Sequence, residues 1–467
     1  MWFRPSIHPA VTSRNGGELN VASDVGKPEL EARTVRKVTW RIIPFCFILY
    51  IISYLDRANI GYAALQMNKE LALTSEAFGF ASGIFFIGYF LFEVPSNVMM
   101  NRFGARIWIA RILLTWGAVS VLTAFVQNST QLYILRFLLG VAEAGFFPGI
   151  IIYLTYWFRK KEQATTIALF TAAIPVSYLI GAPFSTAVMD VFDGAAGLGG
   201  WRWMLLVEGA PAILGGVACF FLLTDRPEQA GWLKPDEKAW LTGELERERA
   251  AQGPKVQHLG IWQAISNPKV LYLSAIYFIY QCGSLGVGYW MPQIIKGFGA
   301  NLSNTEIGLI AMLPYAVATA GMILWSRRSD RTGERKMHSA WPLLLSGVTL
   351  MAAGLVANAG LAMVCIALAL TGLYAFKAPF WAVPTLFLSR ATAAVSVAVI
   401  NSIGNLGGFV GPYFIGVIKE ATGSAAGGLI FLAALVFISF FMMALMRIGT
   451  GRDEVAEPGL ATGGKGV

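Results

Sequence analysis

Charged residues are scarce in this chain of 467 residues: Asp, Glu, Lys and Arg make up 13% of it, whereas hydrophobic residues make up 56%. A soluble globular protein has roughly 25% charged residues. The deficit excludes a soluble enzyme with an ordinary surface, a disordered chain and a coiled coil. Because a membrane span needs about 20 apolar residues, the apolar content is enough for about twelve spans. It indicates a polytopic membrane protein.

Cysteine and histidine are also rare. The four cysteines lie far apart in apolar runs, at Cys46, Cys219, Cys282 and Cys365. This spacing favours neither a disulfide framework nor a metal site. The three histidines lie in polar segments, so none is available within the membrane to carry a proton. We expect no metal, no cofactor and no enzymatic activity, since neither a Ser/His set nor an HExxH motif occurs.

The apolar runs are arranged as six spans, a polar segment and six more spans. This layout predicts an all-α membrane protein with twelve transmembrane helices in two six-helix halves. The predicted segments are a cytoplasmic N-terminal tail (1–38), an N-terminal bundle (39–223), a cytoplasmic linker (224–268), a C-terminal bundle (269–447) and a cytoplasmic C-terminal tail (448–467).

The positive charges are unequally divided between the two sides of the membrane. Of the 36 Lys and Arg residues, 29 lie in the tails, the linker and the loops of one side, and four lie on the other side. Since Lys and Arg are enriched in cytoplasmic loops, we expect both termini in the cytoplasm. The net charge of +9 is therefore a topology signal, and not evidence of nucleic-acid binding. The remaining three cations, Arg57, Arg136 and Lys377, lie inside spans.

A short motif occurs once in each half. NRFGARIW follows span 2 and SDRTGERK follows span 8, and both contain Asp/Asn-Arg-x-Gly-x-Arg. The glycines allow a tight turn, and the polar side chains can bond helix ends across a closed cytoplasmic face. We interpret them as gating residues, with simple positive-inside anchoring as the alternative. The residues concerned are Asn101, Arg102, Gly104, Arg106, Asp330, Arg331, Gly333 and Arg335.

Two acids and two arginines lie inside the N-terminal half. Asp56 and Arg57 belong to span 1, and Arg136 and Glu143 belong to span 4, seven residues apart on nearly the same helix face. An ionised side chain at mid-bilayer costs about 2.5–3.5 kcal/mol, so each needs a partner or a function. An arginine fork suits a carboxylate ligand, and a buried carboxylate suits a proton carrier. A purely structural charge network is the alternative.

Lys377 is the corresponding feature of the C-terminal half. It lies deep in span 10, which contains no acid, and we interpret it as a partner for a substrate anion. Pairing with a carboxylate of another span, or snorkelling inward, is the alternative. Further polar residues in the spans are candidate substrate ligands or interhelical contacts. These are Tyr89, Tyr280, Gln281, Asn401 and Asn405.

Two more acids are assigned other roles. Glu93, near the cytoplasmic end of span 2, is interpreted as a gate residue. Glu208 lies near the outer end of span 6 and is expected to pair locally with Arg202, in a structural role.

Four segments resemble the major facilitator superfamily and, within it, the anion:cation symporter family. They are YLDRANIGYAALQMNKEL (54–71), FFIGYFLFEVPSN (85–97), RFLLGVAEAGFFPG (136–149) and WRWMLLVEG (201–209). The similarity is greatest to tartrate, phthalate, rhamnonate and hydroxyphenylacetate permeases. The resemblance implies the major facilitator fold and proton-coupled uptake of organic anions.

The resemblance also implies roles for the charged residues of the N-terminal half. Arg57 would bind substrate, Asp56 and Glu143 would carry protons, and Arg136 would be the partner of Glu143. We therefore expect a monomeric importer of an organic carboxylate in the bacterial inner membrane, working by alternating access. An anion exchanger or a proton-driven exporter on the same fold is the alternative, ahead of a channel or a nutrient sensor.

Overall fold

The computed structural model describes residues 27–250, 263, 265–299, 301–386 and 390–446, and the structural statements below concern these residues. Twelve helical segments within them are long and apolar enough to cross a membrane. The predicted all-α architecture of twelve spans is confirmed. Residues 1–26 of the predicted N-terminal tail, residues 251–262 of the linker and the predicted C-terminal tail lie outside the described residues.

Nine spans are single helices and three are interrupted. The single helices are span 1 (Lys27–Glu70), 2 (Ser75–Phe103), 3 (Ala105–Thr123), 6 (Gly200–Leu222), 7 (Pro268–Phe298), 8 (Asn304–Thr332), 9 (Lys336–Leu355), 10 (Ala359–Ala382) and 12 (Ala426–Leu445). The interrupted spans are 4 (Ser129–Glu143 and Phe146–Thr155), 5 (Lys160–Thr171 and Ala173–Val191) and 11 (Arg390–Asn405 and Gly407–Thr422).

The two ends of the bundle differ. The end with the linker and the loops at 104, 156–159 and 333–335 is called the linker face here, and the other end is called the opposite face. At the linker face, the helix of span 1 begins at Lys27, within the segment predicted as a tail, and contacts a linker helix, Pro235–Ala250. Arg33 pairs with Asp236 and Glu237, at 2.6 and 3.0 Å, and Lys37 pairs with Glu237 at 2.8 Å. These four residues form the linker clamp.

The halves meet through three pairs of spans: span 1 with span 7, span 2 with span 11, and span 5 with span 8. Glycines let these backbones approach closely, as is common between membrane helices. A Cβ added at Gly61 would lie 2.8 Å from the carbonyl oxygen of Tyr289, and one at Gly79 would lie 2.7 Å from that of Pro412. A larger residue at either position would push the halves apart.

Hydrogen bonds between the halves lie mostly at the opposite face. Asp190 at the end of span 5 accepts hydrogen bonds from the side chain of Asn304 (2.7 Å) and from the backbone N–H (2.7 Å) and hydroxyl (2.6 Å) of Thr305, at the start of span 8. Glu420 accepts one from the Ser75 N–H at 2.8 Å. These bonds join the two halves at the opposite face.

The four cysteines are free and buried. Their burial among apolar side chains agrees with their positions in apolar runs of the sequence.

Candidate functional site

The helix of span 4 is broken directly after Glu143. Its first helix ends at Glu143, and Gly145 has a φ of 85°, in the left-handed region that glycine adopts without steric cost. A Cβ at this position would also lie 2.5 Å from the Ser96 hydroxyl. The sequence AEAGFF therefore places an acid at an interruption within the membrane, where broken helices of transporters bind ions and substrates.

Glu143 is bonded to span 1. Its Oε1 accepts hydrogen bonds from the Ser53 hydroxyl at 2.8 Å and from Arg57 Nη2 at 2.5 Å. Glu143 is 1% exposed, and its Oε2 accepts no hydrogen bond from the described residues. The buried carboxylate is thus compensated by one guanidinium and retains one free oxygen.

Arg57 is surrounded by aromatic rings. Its guanidinium carbon lies 5.3 Å from the ring centre of Tyr54 and 5.4 Å from the ring centres of Phe85 and Tyr89. Cation–π contacts of this kind stabilise a partly desolvated guanidinium. Tyr89, predicted as a substrate ligand, therefore lies beside the predicted anion-binding arginine.

Arg136 forms no ion pair with Glu143 among the described residues, and its role as the partner of Glu143 stays a prediction. Arg136 is 1% exposed, donates to the carbonyl oxygen of Ala81 at 3.3 Å and lies over the ring of Phe85 at 5.2 Å. Seven residues of helix separate it from Glu143 by about 10 Å along the axis. Arg57 of span 1, and not Arg136, forms the ion pair with Glu143.

Asp56 lies in a separate polar site between spans 1 and 3. It is fully buried and accepts hydrogen bonds from Asn59 (2.9 Å), the Trp116 indole and the Ser120 hydroxyl. All three donors are neutral, and the described residues form no ion pair with Asp56. The two predicted proton carriers thus have different direct partners: Glu143 pairs with a guanidinium, whereas Asp56 accepts hydrogen bonds from neutral groups.

A cluster of four tyrosines connects the halves. Tyr178 of span 5 packs against Tyr54 of span 1, Tyr315 of span 8 and Tyr374 of span 10, with ring centres 5.8, 4.7 and 6.2 Å apart. We call these four residues the tyrosine cluster. Arg57 lies over Tyr54 at one end of the cluster, and the Lys377 Nζ lies 5.5 Å from the ring centre of Tyr374 at another.

Lys377 forms no hydrogen bond or ion pair with any described residue. Its ammonium group lies over the ring of Tyr374, 5.5 Å from the ring centre. An ammonium group inside the membrane without an acidic partner is costly. Within the described part of the chain, Lys377 does not pair with a carboxylate of another span, and its role as a substrate partner stays a prediction.

Several of the other predicted ligands bond to protein groups. Gln281 donates to Asn405 at 3.1 Å, between spans 7 and 11, as expected of interhelical contacts. Asn401 donates to Glu93 at 3.3 Å, and Ser402 donates to the same carboxylate at 2.6 Å. Tyr280 is fully buried, with its ring centre 4.4 Å from that of Phe376.

The predicted pairing of Glu208 with Arg202 is wrong. Arg202 pairs with Glu70 at 2.8 Å and donates to the carbonyl oxygens of Ala124 and Val126, which ties span 6 to spans 1 and 3. Glu208, 3% exposed, accepts a hydrogen bond from Ser185 at 2.5 Å. The two residues are six apart in sequence, so they lie on different faces of the helix.

The first of the two predicted gating loops bonds within its own half. Gly104 ends span 2 with a φ of 88°, and the Arg106 N–H donates to Asp225 of the N-terminal half at 2.8 Å. Asn101 accepts from Tyr156 at 3.4 Å, and the Arg102 guanidinium lies over the ring of Phe103.

The second predicted gating loop also bonds within its own half. Arg335 bonds to Asp330 at 2.7 Å within the loop, Gly333 ends span 8, and Arg331 is exposed. The expected bonds across the face are not formed by these loops in this structure. Their role in a closed linker face stays a prediction.

Three features of the structure were not predicted from the sequence. Ser53 is one polar residue among many in span 1, Tyr178 and Tyr315 belong to no motif, and the Asp190 bonds depend on how the halves dock. None of these contacts has a signal in residue spacing, because each joins spans that are distant in sequence.

This chain is similar in sequence to known transporters and similar in fold to a solved structure. A protein of Agrobacterium vitis named "Putative tartrate transporter" is 51% identical over 411 residues, which are 88% of this chain and 94% of that protein. The "Quinolone resistance transporter" of Acinetobacter baumannii is 37% identical over 414 residues, 89% of this chain and 95% of that one. The crystal structure of a bacterial homologue of the human lysosomal transporter Spinster matches the fold, with a TM-score of 0.72 at 16% identity over 86% of this chain and 95% of that one.

The family model of the Major Facilitator Superfamily matches residues 46–412, from span 1 into span 11. Relatives at this level are transporters, which move a small molecule across a membrane without converting it. This multi-pass membrane protein therefore belongs to the Major Facilitator Superfamily and is a transporter, not an enzyme.

Proposed function

We propose that the protein imports a small organic anion with at least two polar or acidic groups, coupled to protons. The observation that carries the proposal is the tyrosine cluster with a cation at each of two ends, one from each half. A ligand between Arg57 and Lys377 would contact both halves, as alternating access requires. The relatives named for tartrate, a hydroxylated dicarboxylate, support this substrate class.

Coupling is proposed to act through competition for Arg57. In this structure the Glu143 carboxylate forms an ion pair with the Arg57 guanidinium. The Oε2 atom of Glu143 accepts no hydrogen bond from the described residues and can take a proton. Protonation removes the negative charge that holds Arg57, so the guanidinium becomes available to a substrate carboxylate. Asp56, behind this pair in the N-terminal half, is proposed as the second proton carrier. No cofactor other than the proton is proposed.

The proposed cycle runs from outside to inside across the bacterial inner membrane, with the linker face and both termini in the cytoplasm. At the outside the acids take protons and the anion binds between Arg57 and Lys377. The halves then rock, and at the higher internal pH Glu143 loses its proton and reclaims Arg57. The returning ion pair would displace the anion into the cell.

The test is uptake of radiolabelled tartrate into proteoliposomes with an imposed pH gradient. Concentrative uptake is expected in the wild type with the gradient and not without it. Glu143→Gln should retain exchange of internal for external tartrate but lose concentrative uptake, because its side chain cannot cycle a proton. Glu76→Gln, at the opposite face, is the control with the same chemical change.

Gradient-independent concentrative uptake, or a Glu143→Gln variant that concentrates tartrate as the wild type does, would contradict the coupling. If tartrate is inert, a panel of aldonates, phthalate and phenylacetates is tested by thermal shift against the Arg57→Ala variant. An exporter or exchanger would instead show efflux from loaded vesicles of known orientation. The efflux measurement is included because one relative is named for quinolone resistance.

A further inference from the structure

A groove opens between spans 8 and 9 at the linker face, with span 10 as its floor. Its volume is about 970 Å³, and its walls include the last three turns of span 8 and the first part of span 9. Thr371 and Ala375 of span 10 form part of the floor. The size is that of a site for a large organic ligand.

The groove lies on a different side of span 10 from Lys377. Thr371 and Ala375 are one turn apart on one side of span 10, whereas Lys377 points about 140° away from their mean direction at 100° per residue. All lining residues belong to the C-terminal half. The groove is therefore separate from the site between the halves, and its ligand does not depend on which substrate is carried.

Three arginines line the groove where it meets the linker face. Arg327, Arg328 and Arg331 are exposed, and their side chains form no hydrogen bond or ion pair with the residues that the structure describes. The acids of the adjoining loop are already engaged, Asp330 with Arg335 and Glu334 with His338, both at 2.7 Å. The end of the groove thus carries three uncompensated positive charges.

The deeper part of the groove is apolar. Leu324, Trp341 and Leu345 line it and are 67%, 51% and 39% exposed. Leu324 lies about 10 Å from Arg331 along the axis of span 8, toward the membrane centre. Charge at the surface and an apolar wall below it match an amphiphile oriented as a membrane lipid is.

We propose that this groove binds an anionic phospholipid of the leaflet at the linker face. The arginine forks would bind the phosphate, and an acyl chain would lie along Leu324, Trp341 and Leu345. Basic pockets between membrane helices hold anionic headgroups in this way. A soluble anion would leave the apolar wall uncovered, and the headgroup cation of a zwitterionic lipid would oppose the three arginines.

The test uses the full-length protein in detergent with dioleoyl phosphatidylglycerol, dioleoyl phosphatidylcholine or inorganic phosphate. Native mass spectrometry should show phosphatidylglycerol retained by the wild type, and thermal denaturation should show a higher Tm with that lipid alone. The variant R327Q/R328Q/R331Q should lose both effects. The control R36Q/R41Q/K160Q removes three exposed cations from the same face of the other half and should keep both.

Single substitutions provide a second test in case the triple variant does not fold. Arg328→Gln is expected to weaken phosphatidylglycerol binding about fivefold, which corresponds to about 1 kcal/mol. Equal retention of phosphatidylglycerol by the triple variant and its control would overturn the proposal. So would a phosphatidylcholine effect as large as that of phosphatidylglycerol. A Tm shift produced equally by inorganic phosphate would assign the arginines to a soluble anion instead.

Discussion

At the scale of single residues, the cations inside the membrane are distinguished by their partners. Arg57 has an acid and three rings, Arg136 has a carbonyl and a ring, and Lys377 has only a ring within the described residues. A cation paired with an acid either has a structural role or becomes available when that acid is protonated. One without a partner is available to a ligand, so Lys377 is the more direct test of the substrate site.

Lys377→Ala should raise the KM for the transported anion roughly 10- to 150-fold, because a hydrogen bond to a charged group contributes about 1.5–3 kcal/mol. Insertion into the membrane should be unaffected, since no described residue depends on Lys377 for a bond. Initial uptake rates in proteoliposomes measure this. Lys69→Ala, at the exposed end of span 1, should leave KM unchanged. Wild-type KM in the Lys377 variant would contradict its assignment to the substrate.

At the scale of elements, the helix of span 4 is interrupted directly after Glu143. Gly145 is held in a left-handed conformation with the Ser96 hydroxyl beside it, and the carboxylate two residues earlier ends the first helix. A continuous helix at this point would change the direction of the second helix of span 4, Phe146–Thr155, relative to the first.

Gly145→Ala should lower stability by more than the 1–2 kcal/mol that a left-handed alanine costs, because its Cβ also meets Ser96. Gly423→Ala is a matched control: its φ is 73°, but a Cβ there has nothing within 4 Å. Thermal denaturation in detergent compares the two. A Tm loss no greater for Gly145→Ala than for Gly423→Ala would mean that Ser96 moves aside freely.

The bonds of Asp190 connect spans 5 and 8 where the halves close. Asp190→Ala removes three hydrogen bonds and should favour opening of the opposite face by roughly 1.5–4.5 kcal/mol, given about 0.5–1.5 kcal/mol for each bond. Hydrogen–deuterium exchange at the start of span 8 should then rise. Asp193→Ala, which removes a bond to Gly200 within one half, should not change it. Equal exchange in both variants would show that Asp190 does not hold the halves together.

Periodicity and composition predicted the spans and the buried charged residues, but they did not predict which charged residues pair with each other. Spans of about 20 apolar residues and buried charges can be recognised in one chain. Which arginine meets Glu143 depends on the docking of span 1 against span 4, and which acid meets Arg202 depends on the end of span 1. Both predicted pairs lay within one helix, whereas the observed partners come from another. Residue spacing describes a single helix and carries no information about its neighbours.

At the scale of the whole molecule, the linker clamp attaches the connection between the halves to the N-terminal half. Glu237, 1% exposed, accepts from Arg33 and Lys37 and from the Lys234 N–H at 2.9 Å. Burial opposes ionisation of Glu237, but the hydrogen bonds from Lys37 and Lys234 and the nearby charges hold its pKa below the usual value. The clamp therefore holds an ionised acid.

The sign of the pH dependence follows from that lowered pKa. The contribution of Glu237 is present above the pKa of an unfolded glutamate, about 4.3, and is lost as the pH falls through the lower pKa of the folded state. Proteolysis of the linker should accelerate on acidification below about pH 4.3. Glu237→Gln should be cleaved fast at every pH, and the exposed Glu228→Gln should behave as the wild type. A Glu237→Gln variant that keeps the wild-type pH profile would assign the effect to another acid.

The burial of all four native cysteines makes this transporter convenient for spectroscopy without a cysteine-free background. A nitroxide or fluorophore reagent would react first with cysteines introduced at the exposed ends of the spans, because the native thiols are shielded by packed side chains. Pairs of labels placed across the linker face and across the opposite face would then report how the distances between the halves change when an anion or a proton is added. The conformational cycle could be followed in the otherwise unaltered chain.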